Sequence, residues 1–138
     1  MRCVPPQRSA RITPGNVLRM IRAIRGAAGC EENTADEIRR VTGELVSEML
    51  ERNGVNHDDL ISILFTLTPD LNAEFPAAAA RAMGLGDVPL LCASEIGVPH
   101  GMPRVVRIMM HTESARTRAE LHHVYLGRAR SLRDDLPE

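Results

Sequence analysis

Arg107 interrupts an otherwise apolar run, Val105-Val106-Arg107-Ile108-Met109-Met110, that reads as a buried strand. A guanidinium in such a place requires a partner, because ionised groups are rarely buried unpaired. The fold must therefore bring an anion to position 107, either a carboxylate of the chain or a guest. The apolar stretch from Val88 to Ser94 ends at Glu95, which puts one carboxylate at or just beyond the end of a second buried strand. Buried ion pairs often stabilise a fold no better than apolar replacements do, so a functional pair competes on even terms with a structural one.

The rest of the chain limits what such strands can be built into. Its 138 residues fit one domain with a modest core, and 43% hydrophobic with 25% charged content is ordinary for a soluble globular protein. With no Trp, two Phe and one Tyr, the core must be made of Leu, Ile, Val, Met and Ala. All seventeen basic residues are Arg. Codon bias accounts for that as well as a need for planar, bidentate carboxylate recognition does. Residues 1–30 hold six Arg and no acid, leaving eleven Arg against eighteen acids afterwards. A short basic tail without Phe, Tyr or Trp is not the basic stripe with interleaved aromatics of a nucleic-acid binder. Cys3, Cys30 and Cys92 are odd in number and form no C-x-x-C pair, which argues against a disulfide framework or a cysteine zinc site and fits a reducing cytoplasm. The amino terminus lacks the apolar region of a secretory signal, and no stretch approaches the roughly eighteen apolar residues of a membrane span. A soluble, cytoplasmic protein is expected.

Residues 1–19, with Pro5, Pro6, Pro14 and Gly15 among scattered arginines, show neither strand nor helix periodicity. They are expected to form a flexible extension, with Met20 as a second candidate start and residues 20–138 as the domain. The extension is Arg-rich and acid-poor like a transit peptide but has little amphipathic periodicity. Met20 to Ala27 suits a first strand. Thr34 and Glu37 form a capping box, and Ile38, Val41, Leu45 and Met49 follow at helical spacing until Asn53-Gly54 stops the helix. Leu60 to Thr68 is a second strand, and a short helix opened by Pro76 runs through Ala77 to Arg81 and stops at Gly84. Val88 to Cys92 and Arg104 to Thr112 are further strands around a Gly/Pro loop at 97–103. Thr117 and Glu120 make a second capping box, predicting a helix through Leu121, Val124 and Tyr125, and a last strand covers Arg128 to Leu132. The fold class is α+β: a mixed sheet with helices on one face. So small a chain has nothing left for the other face, and oligomerisation is the natural solution.

Several candidate chemistries meet this frame. Arg25 ends the first strand beside Gly26, where a ligand or another backbone can approach closely; alone it reads as an edge arginine, a solvated strand-end charge. Cys92 as a nucleophile lacks a histidine at recognisable spacing, since His122 and His123 point to different sides and His57, His100 and His111 have no carboxylate in register. A small buried hydrophobe is the plainer reading. Neither H-x-x-x-H nor H-E-x-x-H occurs, so no metal site is expected. Gly84-Leu85-Gly86 lacks the next glycine of a dinucleotide motif, and no cofactor is expected. Tyr125 suits either core or pocket, having an apolar body and a polar tip.

Taken together, five stretches resemble the monofunctional, AroH-type (Bacillus-type) chorismate mutase family. They are Arg22-Ala23-Ile24-Arg25-Gly26-Ala27, the run from Phe65 through Thr68-Pro69-Asp70-Leu71 to Phe75-Pro76-Ala77, Cys92 with Glu95, Arg104 to Met110, and His123-Val124-Tyr125-Leu126. Their order and spacing cover residues 20–136. The resemblance implies an isomerase that converts chorismate to prephenate, the step leading from the shikimate pathway towards phenylalanine and tyrosine. It also implies a homotrimer, its sheets packed around a barrel-like centre with three sites at subunit interfaces. Carried over to this sequence, Arg25 and Arg107 match the principal substrate-binding arginines, Glu95 a carboxylate facing the substrate hydroxyl, and Tyr125 a tyrosine on a substrate carboxylate. Leu91, Cys92, Ala93, Ser94 and Glu95 match a pocket-lining segment, with Cys92 as a pocket cysteine and not a nucleophile. Phe75, Arg81 and Leu132 match positions that complete the pocket, the first two from the neighbouring subunit. Ala78 stands where some members have Lys, Leu91 where some have Thr, and His100 where a loop glycine is common. A non-catalytic trimeric sensor of small carboxylates, using the same arginines, is the alternative.

Overall fold

The computed structural model describes residues 12–13 and 17–133. Of the stretch expected to be a flexible extension, residues 1–11 and 14–16 lie outside the described residues. Within it, β1 (Ile12–Thr13) pairs antiparallel with β2 (Val17–Leu18), and Arg19 forms an ion pair with Asp59.

Strand β3 (Met20–Gly29) leads into helix α1 (Ala35–Arg52), whose Thr34 side chain accepts from the Glu37 N–H at 3.2 Å. The helical spacing puts Ile38, Val41, Leu45, Val46 and Met49 on one buried stripe, with Arg–Glu pairs on the solvent side. Strand β4 (Leu60–Leu67), helix α2 (Ala77–Ala82), and strands β5 (Leu90–Ser94) and β6 (Val105–Ser114) follow. A short strand, β7 (Val124–Leu126), completes a five-stranded sheet of order β5-β4-β6-β3-β7. Pairs β3–β6 and β4–β6 are antiparallel, while β3–β7 and β4–β5 are parallel, so the sheet is mixed as expected. The core lies between α1, α2 and one sheet face, with Ile24, Ile63, Phe65, Ile108 and Met110 pointing into it. Gly26 lets α1 sit close: a Cβ there would fall 2.4 Å from Met49 Sδ.

Among the described residues the sheet's other face carries no α-helix, which corrects one expectation about Arg107. The strand around it is buried on one side only: Val106, Ile108 and Met110 face the core, while Arg107 and Met109 alternate onto the open face. The apolar run hides this alternation, because Val105 and Met109 are apolar as well. Val105 is covered separately, packed with Ala27 and Ala129.

The end of the chain departs further from expectation. The box at Thr117 and Glu120 forms, with the Thr117 N–H donating to Glu120 Oε1 at 3.1 Å, and these bonds hold the Glu120 carboxyl below its usual range. It opens only a 3₁₀ turn, Arg118–Glu120. The expected helix through Leu121, Val124 and Tyr125 is strand β7 instead, because the free edge of β3 takes Val124, Tyr125 and Leu126 opposite Gly26, Ala27 and Ala28. Leu121-Val124-Tyr125 fits helical spacing, but tertiary pairing decides it. The expected last strand, Arg128 to Leu132, is a 3₁₀ segment, Gly127–Arg133, entered through a left-handed Gly127 at φ 59°. It buries Ala129 against the open face. Residues 134–138 lie outside the described residues.

Candidate active site

Four adjacent strands, β4, β6, β3 and β7, build one cleft of about 410 Å³ on the open face, lined by Arg25, Ala27, Leu64, Thr66, Arg107 and Tyr125 among others. Register explains the assembly. Arg107 lies opposite Ala27 on β3 and Thr66 on β4, and Arg25 lies opposite Met109, so the two arginines are diagonal neighbours on one face. Diagonal positions on adjacent strands are roughly 7–8 Å apart, within reach of one small guest. Tyr125 stands beside Ala27 on β7, and Leu132 reaches the cleft from the 3₁₀ segment. Arg25 and Arg107 thus converge, as expected, although 82 positions separate them.

Glu95 follows β5 directly. Its backbone N–H donates to the Leu67 carbonyl at 2.8 Å, which swings the side chain back over the sheet. There its Oε1 pairs with Arg107 Nε at 3.2 Å, and its Oε2 accepts from the Thr66 hydroxyl at 2.8 Å. The Arg107 side chain remains 45% exposed, so this is a half-open pair. The Arg25 guanidinium meets no acid or carbonyl among the described residues. Its backbone N–H donates to His123 Nδ1 at 2.9 Å, tying β3 to the segment before Tyr125. Among the described residues, one carboxylate for two guanidiniums leaves a net positive cleft suited to an anion.

A second cleft, of about 380 Å³, lies at the far edge of the sheet and contains Phe75, Cys92, Ala93 and Ser94 with Leu71 and Glu74. Phe75 is 67% exposed there. Within one chain the candidate residues therefore divide. Arg25, Arg107, Tyr125 and Leu132 line the first cleft, with Glu95 paired into it, and four others line the second. Leu91 is an exposed neighbour of Leu64 on β5, and Arg81 is exposed on α2; neither lines these two clefts. Cys92 packs partly against the core on the helix side, opposite Phe65, and not on the Arg107 face. The other described cysteine, Cys30, is fully buried, and burial first, with Glu37 second, pushes its thiol up to about 11. That suits a small hydrophobe. Among the described residues no three His, Cys, Asp or Glu side chains form a group that could hold a metal ion, and no helix is long and apolar enough to cross a membrane.

Sequence reasoning misses Thr66. Its signal is one of two polar residues, with Ser62, inside Leu60 to Leu67 at even spacing from Leu64, but only the register with Arg107 gives it meaning.

The model of the family described as chorismate mutase type I matches residues 21–136. The chain belongs to the type I chorismate mutase family. It is 44% identical over 118 residues to chorismate mutase AroH of Thermus thermophilus, covering 85% of this chain and 97% of that protein. With chorismate mutase AroH of Bacillus subtilis strain 168 it shares 38% over 118 residues, 85% of this chain and 93% of the relative. Among solved structures, a chorismate mutase from Clostridium thermocellum superposes with a TM-score of 0.78 at 48% identity, covering 79% of this chain and 97% of the other. The family match takes in β3 to β7 and starts just after the β1–β2 ribbon and Arg19.

Proposed function

We propose that the chain is an isomerase converting chorismate to prephenate, in the synthesis of phenylalanine and tyrosine. The observation that carries this reading is the convergence of Arg25, Arg107 and Tyr125 on one cleft of a type I chorismate mutase fold. The reaction is a [3,3] rearrangement within one molecule. A C–O bond breaks and a C–C bond forms, and no proton transfer or covalent adduct is needed. Holding the compact chair-like conformer and stabilising charge on the ether oxygen are the remaining tasks. Arg25 and Tyr125 hold the substrate carboxylates. Glu95 orients the substrate by accepting from its hydroxyl. Arg107 gives Nε to Glu95 and turns its terminal N–H groups to the ether oxygen, and its charge persists at any physiological pH. The purified protein incubated with chorismate is expected to consume it over many turnovers, with loss of its ultraviolet absorbance and prephenate as product. Binding without turnover would instead favour a sensor of small carboxylates.

The working unit is a homotrimer, its sheets facing a barrel-like centre and a site at each interface. The open sheet face supports this: Leu64 and Leu91 sit side by side on it, 38% and 61% exposed, with no α-helix of the described residues above them. The division of candidate residues between two clefts supports it too. The second cleft of one subunit, bringing Phe75 with Arg81 nearby, closes the first cleft of the next. Light scattering should give three times the 15.2 kDa protomer. Leu64→Lys, which buries an ammonium beside the guanidiniums of Arg25 and Arg107 at a cost of roughly 3–5 kcal/mol, should shift the mass towards one protomer and lower turnover with it. A trimeric mass unchanged in this variant would remove Leu64 from the interface.

A further inference from the structure

Building on the proposed mutase activity, we infer that Thr66 is a positioning residue that keeps Glu95 from sequestering Arg107. Glu95 has two oxygens, and a carboxylate beside an arginine favours the two-pronged arrangement in which both oxygens engage the guanidinium. That arrangement would occupy a terminal nitrogen that the substrate needs. In the structure Oε1 meets Arg107 at Nε, 3.2 Å away, while Oε2 is occupied by the Thr66 hydroxyl at 2.8 Å. The geometry is fixed from three sides. Thr66 stands opposite Arg107 on β6 and opposite Ala93 on β5, and Glu95 enters from the end of β5 with its N–H on the Leu67 carbonyl. Glu95 is only 19% exposed, so water competes weakly for Oε2. The hydroxyl's task is thus to divide the carboxylate: one oxygen steadies the guanidinium, and the other is held away from its fork. Thr66 acts through Glu95 and Arg107.

The test compares Thr66→Val, which keeps the β-branched shape and strand preference but lacks the donor, with Thr66→Ser, which keeps the donor. With chorismate as substrate, Thr66→Val is expected to lower kcat about tenfold, the effect of one hydrogen bond to a charged group, with KM little changed. Thr66→Ser should stay near wild type. Equal losses in both variants would assign the effect to shape, and no loss in Thr66→Val would remove the role; either result overturns the inference. A readout independent of turnover is the Arg107 Nε–H proton resonance. Its chemical shift and solvent exchange should change in Thr66→Val and not in Thr66→Ser, and an unchanged resonance in Thr66→Val also overturns the inference. An inactive wild-type protein would instead sink the proposed activity, leaving the resonance comparison to decide Thr66 separately.

Discussion

Asn53→Ala is expected to destabilise the fold by about 3 kcal/mol, lowering the melting temperature by roughly 10 °C. Asn53 is 2% exposed at the end of α1 and spends its whole amide on backbone groups. Its Nδ2 donates to the Met49 carbonyl at 2.8 Å and the His122 carbonyl at 2.9 Å, and its Oδ1 accepts from the His122 N–H at 2.7 Å. Alanine leaves these groups short of partners where water reaches them poorly. Asn53→Asp keeps only the acceptor and sets a carboxylate against two carbonyls at a helix carboxyl end, so it should lose at least as much. The side chain also ties α1 to the segment that runs through His123 to Tyr125, so turnover should fall along with stability. Denaturant unfolding at matched protomer concentration measures the loss. An unchanged midpoint would mean that the bridge holds nothing.

Much of the fold is legible where local pattern and tertiary role agree. Thr34, Glu37 and the Ile38-to-Met49 stripe define α1 without reference to anything distant, and Leu60 to Leu67 is apolar and β-rich enough to stand alone. Legibility fails after Thr117. The same capping chemistry that opens α1 opens only one 3₁₀ turn there, because β3 still has a free edge and the Arg25 N–H still needs an acceptor, which His123 supplies. Pairing between residues about a hundred positions apart cannot be read from periodicity. Asn53 shows the same limit: its place as a helix stop is local and visible, while its grip on His122 is not.

At the site, the need of Arg107 for an anion is legible, and Glu95 meets it. What the sequence does not carry is the alternation of β6, which leaves that pair at the mouth of a cleft and not in the core. The convergence of Arg25 with Arg107 needs the antiparallel register of β3 and β6, and Thr66 needs that of β4 and β6. Arg25, Arg107, Glu95 and Tyr125 come through likeness to the family, and the cleft brings them together. The same likeness points to Phe75 and Arg81, which the single chain holds apart from them.

Arg107→Ala should cost more activity than substitution of Thr66, Leu64 or Asn53. In the proposed site the ground state of the substrate already offers carboxylates to Arg25 and Tyr125, so binding should survive in part. The ether oxygen acquires its negative charge only on the way to the transition state, and a donor aimed there lowers the barrier selectively. Losing it should reduce kcat by on the order of 10²–10³, as for one oxyanion donor. Arg107→Lys should recover little, because one ammonium cannot serve Glu95 and the substrate in a planar fork. The decisive measurement is kcat of purified Arg107→Ala at saturating chorismate, followed by ultraviolet absorbance, with circular dichroism confirming the fold. A fall of about a hundredfold or more is expected if Arg107 stabilises the ether oxygen; a folded variant with undiminished turnover contradicts that role.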